Sequence, residues 1–263
     1  MTAIVGLTLR DATIVAADRE ENDRYLKNDV SKLDPYNIGG WSFSFAGAGS
    51  SDFIEFTVQK LIARLTPLGP TMSKADVRNG IESEILDIYT NHVFAANIPN
   101  PDDRPGFDLV IQACHLGEAL LFKTSDSTVT EVDPSKIACI GGGRTYATTL
   151  LNKYRGSSSI RSTALLALYV ILQTKRFVRD VGGGTDLCIQ TDKGRATTVR
   201  APLLFKIEKL LDDLDYEFEG IFFAALSEGQ GWKDDADEFK KKVYGIRNNL
   251  FNEIGGLFNT FQI

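Results

Sequence analysis

Thr2 occupies the position in this 263-residue chain that most directly suggests chemistry. If the initiator Met1 is removed, Thr2 becomes N-terminal and carries a hydroxyl nucleophile and a free α-amine on one residue. The pKa of such an amine is about 8, so the amine can accept the hydroxyl proton directly or through water. A nearby ammonium would lower the pKa values of both groups, and a carboxylate would hold that ammonium in place. Glycine amides at a strand end could bind an oxyanion.

A threonine at position 2 is common, so other types of site also need to be weighed. The only histidines are His92 and His115, which is too few for a histidine-rich zinc site. They lie in a helical and a strand pattern, respectively, and we interpret both as structural. Paired aspartates are typical of solvated loops and helix ends; they occur at 102–103, 212–213 and 234–235. We therefore predict neither a metal nor a cofactor.

Two runs of glycine are compared with the glycine-rich patterns of phosphate-binding loops. They span residues 141–143 and 182–184. Neither run matches the GxxxxGK[ST] or the GxGxxG pattern. We interpret both runs as tight turns at strand ends.

Composition limits the possible partners and compartments. The net charge of −6 and the pI of about 5.1 provide no basic surplus, which argues against a nucleic-acid partner. Three cysteines (Cys114, Cys139 and Cys188) without a CxxC pair are typical of a reducing cytosol. The N-terminus lacks the basic segment of a signal peptide. No apolar stretch reaches the roughly 18 residues that span a bilayer. The sequence predicts a cytoplasmic protein with no membrane partner.

Hydrophobic periodicity predicts the elements that would position Thr2. Strand patterns occur at 3–9, 12–17, 30–33, 41–46, 107–114, 119–123, 128–132, 137–140, 185–191 and 195–200. Helical patterns occur at 51–65, 73–95, 145–154, 160–179 and from 202 to about 214. Residues 19–30 and 97–104 are polar and predict loops. Grouped strands between paired helices predict an α+β fold with a sheet-on-sheet core and helices on both outer faces. The absence of alternating βαβ units argues against a Rossmann fold.

Several short motifs occur in a recognisable order. They are Thr2-Ala-Ile-Val-Gly-Leu, Ile14-Val-Ala-Ala-Asp18-Arg19, Asp29-Val-Ser-Lys32-Leu, Phe43-Ser-Phe-Ala-Gly47, Ile140-Gly-Gly-Gly-Arg-Thr-Tyr-Ala147 and Arg179-Asp180-Val-Gly-Gly-Gly-Thr-Asp186. Together, over residues 2 to about 214, the chain resembles the β-type subunits of proteasomes. It is equally similar to the HslV-type peptidases of bacteria.

The resemblance implies a four-layer αββα sandwich of the N-terminal nucleophile hydrolases. By this match Thr2 would be the nucleophile, Asp18 the orienting carboxylate and Lys32 the cation that tunes Thr2. The Gly47 amide would donate to the oxyanion, and Asp180 would support the terminal amine. The resemblance also implies a homo-oligomer, as a ring or a related open array. A peptide or protein would be the substrate, and an ATPase or another regulator would be a further partner.

Two positions depart from the family pattern. Members usually carry one serine in the first glycine turn and another after the second acidic residue. Here Gly142 and Gly182 stand at those places. The leading hypothesis remains a threonine endopeptidase or amidase that acts after removal of Met1 by a cellular aminopeptidase. The alternatives are a catalytically silent proteasome-like assembly subunit and an N-terminal nucleophile amidase for one small substrate.

The C-terminal part has little counterpart in the family core. We therefore divide the chain into a catalytic-type domain at 1–214 and an extension at 215–263. The extension holds ten of the 26 aromatic residues, and residues 234–258 have helical spacing. It could pack on its own domain or on a neighbouring subunit. Its acidic residues argue against membrane binding.

Overall fold

The computed structural model describes residues 2–23, 26–69, 71–95, 104–154, 159–193, 195–199, 201–226 and 232–259. Most of the predicted loop at 97–104, including Asp102 and Asp103, lies outside these ranges. The chain divides into two compact units, residues 1–198 and residues 199–263. None of the described helices is long and apolar enough to cross a membrane.

In chain order, the strands are β1 (Ile4–Thr8), β2 (Ala12–Asp18), β3 (Glu20–Asp23), β4 (Leu26–Asp29), β5 (Asp34–Ile38), β6 (Trp41–Gly49), β7 (Phe107–His115), β8 (Glu118–Ser125), β9 (Thr128–Glu131), β10 (Ile137–Ile140), β11 (Thr185–Thr191) and β12 (Arg195–Thr198). The helices are α1 (Ser51–Leu65), α2 (Lys74–Ile88), α3 (Arg144–Tyr154), α4 (Ile160–Phe177), α5 (Ala201–Leu226) and α6 (Trp232–Asn259). A 3-10 turn (Thr66–Leu68) follows α1, and a π-helical turn (Tyr89–Phe94) follows α2.

The first sheet has five antiparallel strands in the order β10-β1-β2-β11-β12. Every residue of β1 and β2 is buried, as expected for apolar strands that are covered on both faces. Ile4 pairs with Ala17, so the start of β1 lies beside the end of β2. This register brings Thr2 close to Asp18.

The second sheet has the order β5-β6-β7-β8-β9 and is also antiparallel. Its strict Trp-Ser-Phe-Ser-Phe alternation on β6 sends the large rings to one face. Helices α1 and α2 cover that face through a cluster that includes Trp41, Phe43, Phe45, Leu61, Leu65, Ile81 and Ile85.

A further apolar cluster joins strands of the two sheets; it includes Ile4, Val15, Ala17, Ala46, Val110, Leu121 and Ile140. Gly6 permits this approach, because an added Cβ would lie 3.0 Å from Leu121 and 3.1 Å from Val110. Helices α3 and α4 contact the first sheet, α4 mainly at β1 and β2 and α3 mainly at β10.

One part of the strand prediction is wrong. Residues 19–30, predicted as a loop, contain the hairpin β3–β4, in which Glu20 pairs with Asp29. Residues 30–33, predicted as a strand, form none, and β5 begins at Asp34 instead. The backbone N–H of Lys32 donates to the Asp186 carboxylate at 2.6 Å, and this bond holds the segment in place of a ladder partner.

The second helix begins where the sequence predicts. Ser73 and Asp76 form a capping box, so the first backbone donors of α2 are satisfied. The helical segment continues beyond α2 as the π-helical turn, which carries His92. The Tyr89 hydroxyl at its start donates to the carbonyl oxygen of Phe107 at 2.7 Å, tying the turn to β7.

The second unit is a hairpin of α5 and α6. The prediction that the first of these helices ends near Leu214 is wrong, because α5 runs to Leu226. Contacts with α6 stabilise the added length: Phe218 packs edge-on against Phe239, and Lys242 lies 3.5 Å from Glu217. The predicted helix at 234–258 corresponds to α6. The predicted boundary at 214/215 therefore falls inside α5, whereas the division of the chain into compact units lies between residues 198 and 199.

Candidate active site

Thr2 is fixed by the backbone on its carboxyl side. The N–H of Ala3 donates to Asp18 Oδ1 at 2.8 Å, and the N–H of Asp18 donates to the Ala3 carbonyl at 3.1 Å. The carbonyl of Thr2 accepts from the N–H of Gly143 at 3.2 Å. Thr2 is thus held at the junction of β1, the end of β2 and the first glycine turn.

Lys32 connects Thr2 with Asp18. Its Nζ lies 3.1 Å from Thr2 Oγ1 and 3.1 Å from Asp18 Oδ1, and it donates to the Glu20 carbonyl at 2.8 Å. An ammonium has three donors, so these three acceptors use its full capacity. The Lys32 side chain is only 11% exposed, which makes its position well defined.

Asp18 is completely buried and therefore needs strong compensation for its charge. Besides the ammonium of Lys32, three backbone donors provide it. Ala3 N–H reaches Oδ1, and the N–H groups of Glu20 and Gly182 reach Oδ2 at 3.3 Å each. These bonds fix the carboxylate in one orientation. The structure brings together the three predicted residues Thr2, Asp18 and Lys32.

Asp186 is a positioning residue that the sequence prediction missed. Its Oδ2 accepts from the Lys32 backbone N–H at 2.6 Å and from Ser31 Oγ at 3.2 Å. Its Oδ1 lies 3.8 Å from Arg19 Nε, which also lies 3.2 Å from Asp29. Asp186 is the last residue of the last sequence motif, but a motif does not reveal which distant N–H group will donate to the carboxylate.

Gly47 lies on β6 opposite Leu109 and lines the same cavity as Thr2 and Lys32. The ladder between β5 and β6 ends at Asp34 and Phe45, before Gly47 is reached. A Cβ at position 47 would lie 2.6 Å from the Ile54 side chain. A side chain at position 47 would therefore require Ile54 on α1 to move.

The first glycine turn packs on the backbone of Thr2. Gly141 has φ +85°, and a Cβ there would lie 2.1 Å from the Thr2 carbonyl oxygen. A Cβ at Gly143 would lie 2.8 Å from that of Ala3. Gly142 between them is exposed and lines a depression of about 430 Å³ with Thr2, Asp108 and other residues.

The second glycine turn packs on the end of β2. The N–H of Glu20 donates to the Gly182 carbonyl at 3.0 Å, and a Cβ at Gly182 would lie 2.5 Å from the Glu20 carboxylate. Asp180 precedes this turn with φ +63°, and its carboxylate lies 4.0 Å from Arg179. These contacts do not test the supporting role predicted for Asp180, which stays a prediction.

Other groups predicted to be structural have packing partners. His92 meets the ring of Phe56 edge-on, and His115 stacks on Trp41 with ring centroids 5.2 Å apart. Burial raises the pKa of Cys114 to about 11 and that of Cys188 to about 12, so both thiols stay protonated at neutral pH. In the described part of the chain, no cluster of three or more His, Cys, Asp or Glu side chains is placed to hold a metal ion.

Asp108 lines the depression that also contains Thr2 and Gly142, and the pKa of its carboxyl is shifted. Burial, above all, raises its pKa, and the charge of Asp126 raises it further. A backbone hydrogen bond from Asp126 and the charges of Lys123 and Arg144 act in the opposite direction.

Comparisons with known proteins give structural likeness only. No protein-family model and no curated protein sequence matches the chain. A solved structure of an Anbu (Gly-1) mutant from Hyphomicrobium sp. strain MC1 matches with a TM-score of 0.66 at 17% identity, covering 83% of this chain and 97% of its own.

Two further Anbu structures match at 16% identity and a TM-score of 0.65. One is Anbu, described as an ancestral beta-subunit, from Yersinia bercovieri; the match covers 87% of this chain and 99% of that one. The other is a helical assembly of the Anbu complex from Pseudomonas aeruginosa, with 83% and 95% covered. At these identities the likeness shows a shared fold. At that coarser level it agrees with the resemblance to β-type subunits.

Proposed function

We propose that the chain is a threonine-type peptidase or amidase that uses Thr2 after removal of Met1 and works within a self-assembled, proteasome-like complex. Its fold would be the four-layer αββα sandwich of the N-terminal nucleophile hydrolases. The observation that carries the proposal is the position of Lys32 Nζ, 3.1 Å from both the Thr2 hydroxyl and the Asp18 carboxylate.

The chemistry would proceed through an acyl-enzyme. Removal of Met1 frees the α-amine, which accepts the proton as Thr2 Oγ1 attacks the substrate carbonyl carbon. The ammonium of Lys32 stabilises negative charge developing on Oγ1, and the Gly47 amide donates to the oxyanion. The amine then gives its proton to the departing nitrogen. Water, activated by the same amine, hydrolyses the ester on Thr2, and Asp180 supports the amine throughout.

Self-assembly is the second part of the proposal. Support comes from the Pseudomonas aeruginosa structure, whose description names a helical assembly of the Anbu complex. We propose that copies of this chain form a ring or an open array in the cytoplasm. Peptides or proteins would be the substrates, and an ATPase or another regulator would be a further partner.

A catalytically silent assembly subunit is the alternative, and a specific observation favours it. An added Cβ at Gly182 would lie 2.5 Å from the Glu20 carboxylate, so the second expected hydroxyl could be placed there only if the Glu20 side chain moved. Gly142 likewise provides no hydroxyl. An amidase for a single small substrate would use the same Thr2 chemistry and would differ only in its cavity.

Covalent labelling separates these functions. Intact mass on protein from its native host reports whether Met1 is removed. A Met1-free sample is then treated with a peptide epoxyketone or a β-lactone, beside Thr2→Ala. The enzyme predicts one adduct on Thr2 and none on the variant. A native protein that always retains Met1, or a Met1-free protein that is never labelled, would contradict the proposal and support the silent subunit. A panel of peptides and small amides then distinguishes a peptidase from a small-substrate amidase.

A further inference from the structure

The cavity beside Thr2 has an apolar wall. It has a volume of about 650 Å³ and opens next to Thr2 and Lys32. Residues of β5, β6 and α1 provide apolar surface: Tyr36, Phe45, Ile54, Val58 and Ile62. A space of this size accepts a long side chain beside the reacting carbonyl.

Carboxylates also line this cavity. Glu21 comes from the β3–β4 hairpin, and Asp52 and Glu55 come from the first turns of α1. Asp52 and Glu55 are exposed, and Glu55 accepts from Gln59 at 3.2 Å. They therefore form an acidic rim above the apolar wall.

The described lining of the cavity offers the rim no cation of its own. Among the described residues that line the cavity, Lys32 is the only one with a positive charge. Its three donors are directed at Thr2, Asp18 and the Glu20 carbonyl. The charge of Lys32 is balanced by the buried Asp18, so the carboxylates of the rim leave the cavity with a net negative charge.

We propose that this cavity selects substrates with lysine or arginine on the acyl side of the scissile bond, and that Glu55 and Asp52 determine this preference. The inference rests on the proposed function of Thr2. Lysine and arginine combine an aliphatic stem with a charged head, so the stem packs on the apolar wall while the head meets the rim. A neutral aliphatic side chain makes only the first contact, and an acidic one is repelled by the rim.

The test uses three peptide epoxyketones that differ only in the residue next to the warhead: arginine, norleucine or glutamate. Mass spectrometry measures the rate of Thr2 labelling on the Met1-free, assembled protein. We expect the arginine probe to react about tenfold faster than the norleucine probe, because the charge contacts with Glu55 and Asp52 each contribute roughly threefold. The glutamate probe reacts slowest. Raising the salt concentration to about 1 M shrinks the preference through screening of the rim.

Variants of the rim assign the preference. Glu55→Gln and Asp52→Asn each reduce the arginine-to-norleucine ratio several-fold. Glu55→Lys reverses the order of the arginine and glutamate probes. The matched control is Glu84→Gln on α2, outside the cavity lining, which leaves all ratios as they were.

The outcomes keep the two proposals apart. If none of the three probes labels Thr2 in the Met1-free protein, the proposed function fails. If all three label it at equal rates, or if the rim variants leave the ratios unchanged, the function stands and the inference about specificity is overturned.

Discussion

The two glycine turns, 141–143 and 182–184, look alike in the sequence but pack against different parts of the site. The first packs on the Thr2 backbone, with positive φ and close approach at Gly141 and an exposed residue at its centre. The second packs on Asp18 and Glu20, and its Gly182 donates to the buried carboxylate. One turn holds the Thr2 backbone, and the other holds Asp18, which accepts a hydrogen bond from Lys32 Nζ.

The two positions where family members carry serine therefore differ in the space available for a side chain. A hydroxyl at position 142 would point from an exposed residue beside Thr2. A hydroxyl at position 182 would need the space of the Glu20 carboxylate, 2.5 Å from the added Cβ. Position 142 is therefore open, whereas position 182 accepts a side chain only if Glu20 moves. Five substitutions test this comparison.

The largest effect is expected for Asp18→Ala, which removes the shared anchor of Lys32 and the second turn. Breaking a buried ion pair costs about 3–5 kcal/mol, because the remaining charge loses its partner. Urea unfolding measures the loss, and labelling of Thr2 should disappear. A loss below about 1 kcal/mol would show that the buried pair contributes little to the fold.

Gly141→Ala follows. The left-handed backbone costs about 1 kcal/mol for alanine, and the contact with the Thr2 carbonyl adds to it, for a total of about 3 kcal/mol by urea unfolding. Gly117→Ala is the matched control, since Gly117 has φ +81° and nothing within 4 Å of an added Cβ. Equal losses in the two variants would mean that the close approach to Thr2 has no cost.

Gly182→Ser should cost less, about 1–2 kcal/mol, because the colliding atom belongs to a side chain that can rotate away. Gly106→Ser provides the control, since Gly106 has open space around an added Cβ. Thermal unfolding compares the two. If Gly182→Ser is as stable as the unsubstituted chain, this turn is not constrained by packing and the comparison fails.

Gly142→Ser should change the free energy of unfolding by less than about 0.5 kcal/mol, as is usual for an exposed position. Its informative readout is the rate at which Thr2 reacts with an epoxyketone. The restored hydroxyl should raise that rate by up to about tenfold by assisting proton transfer to the amine. A fall in rate would show that the exposed glycine is needed for access to Thr2.

The smallest effect concerns pH. Because burial raises the pKa of Asp108, the folded state binds this proton more tightly than the unfolded chain. Ionisation of the Asp108 carboxyl therefore lowers the free energy of unfolding as the pH rises above 3.8, the ordinary pKa of an aspartate. Asp108→Asn should raise Tm slightly at pH 7 and lose that advantage near pH 3. Asp87→Asn on the exposed side of α2 provides the control. A gain that does not depend on pH would contradict this interpretation.

Local patterns predicted most of the first unit. The runs at 3–9 and 12–17, which are rich in Val, Ile, Ala and Thr, correspond to β1 and β2, and the capping box at Ser73 begins α2. The errors fall where tertiary contacts decide. The polar hairpin β3–β4 has no apolar alternation to reveal it, and the backbone of Lys32 bonds to a carboxylate 154 residues away. The length of α5 depends on its partner α6.

The candidate site shows a similar division. Thr2, Asp18 and Lys32 could be named from the sequence, because each lies in one of the short motifs that carry the resemblance to β-type subunits. Asp186 could not be named in this way, because its carboxylate binds the Lys32 backbone and the Ser31 hydroxyl, which lie far from it in the sequence. The constraint on Gly182 depends equally on a contact with Glu20 that only the folded chain reveals.

If Met1 is removed as proposed, the hydrogen bonds that flank Thr2 would also limit further trimming of the N-terminus. The Ala3 N–H is bonded to Asp18 and the Thr2 carbonyl to Gly143, so the peptide bond after Thr2 has its donor and its acceptor engaged. An aminopeptidase that has removed Met1 would have to pull this bond out of the fold to continue. Folding before processing would therefore give maturation a single end point and protect the new terminus from further loss.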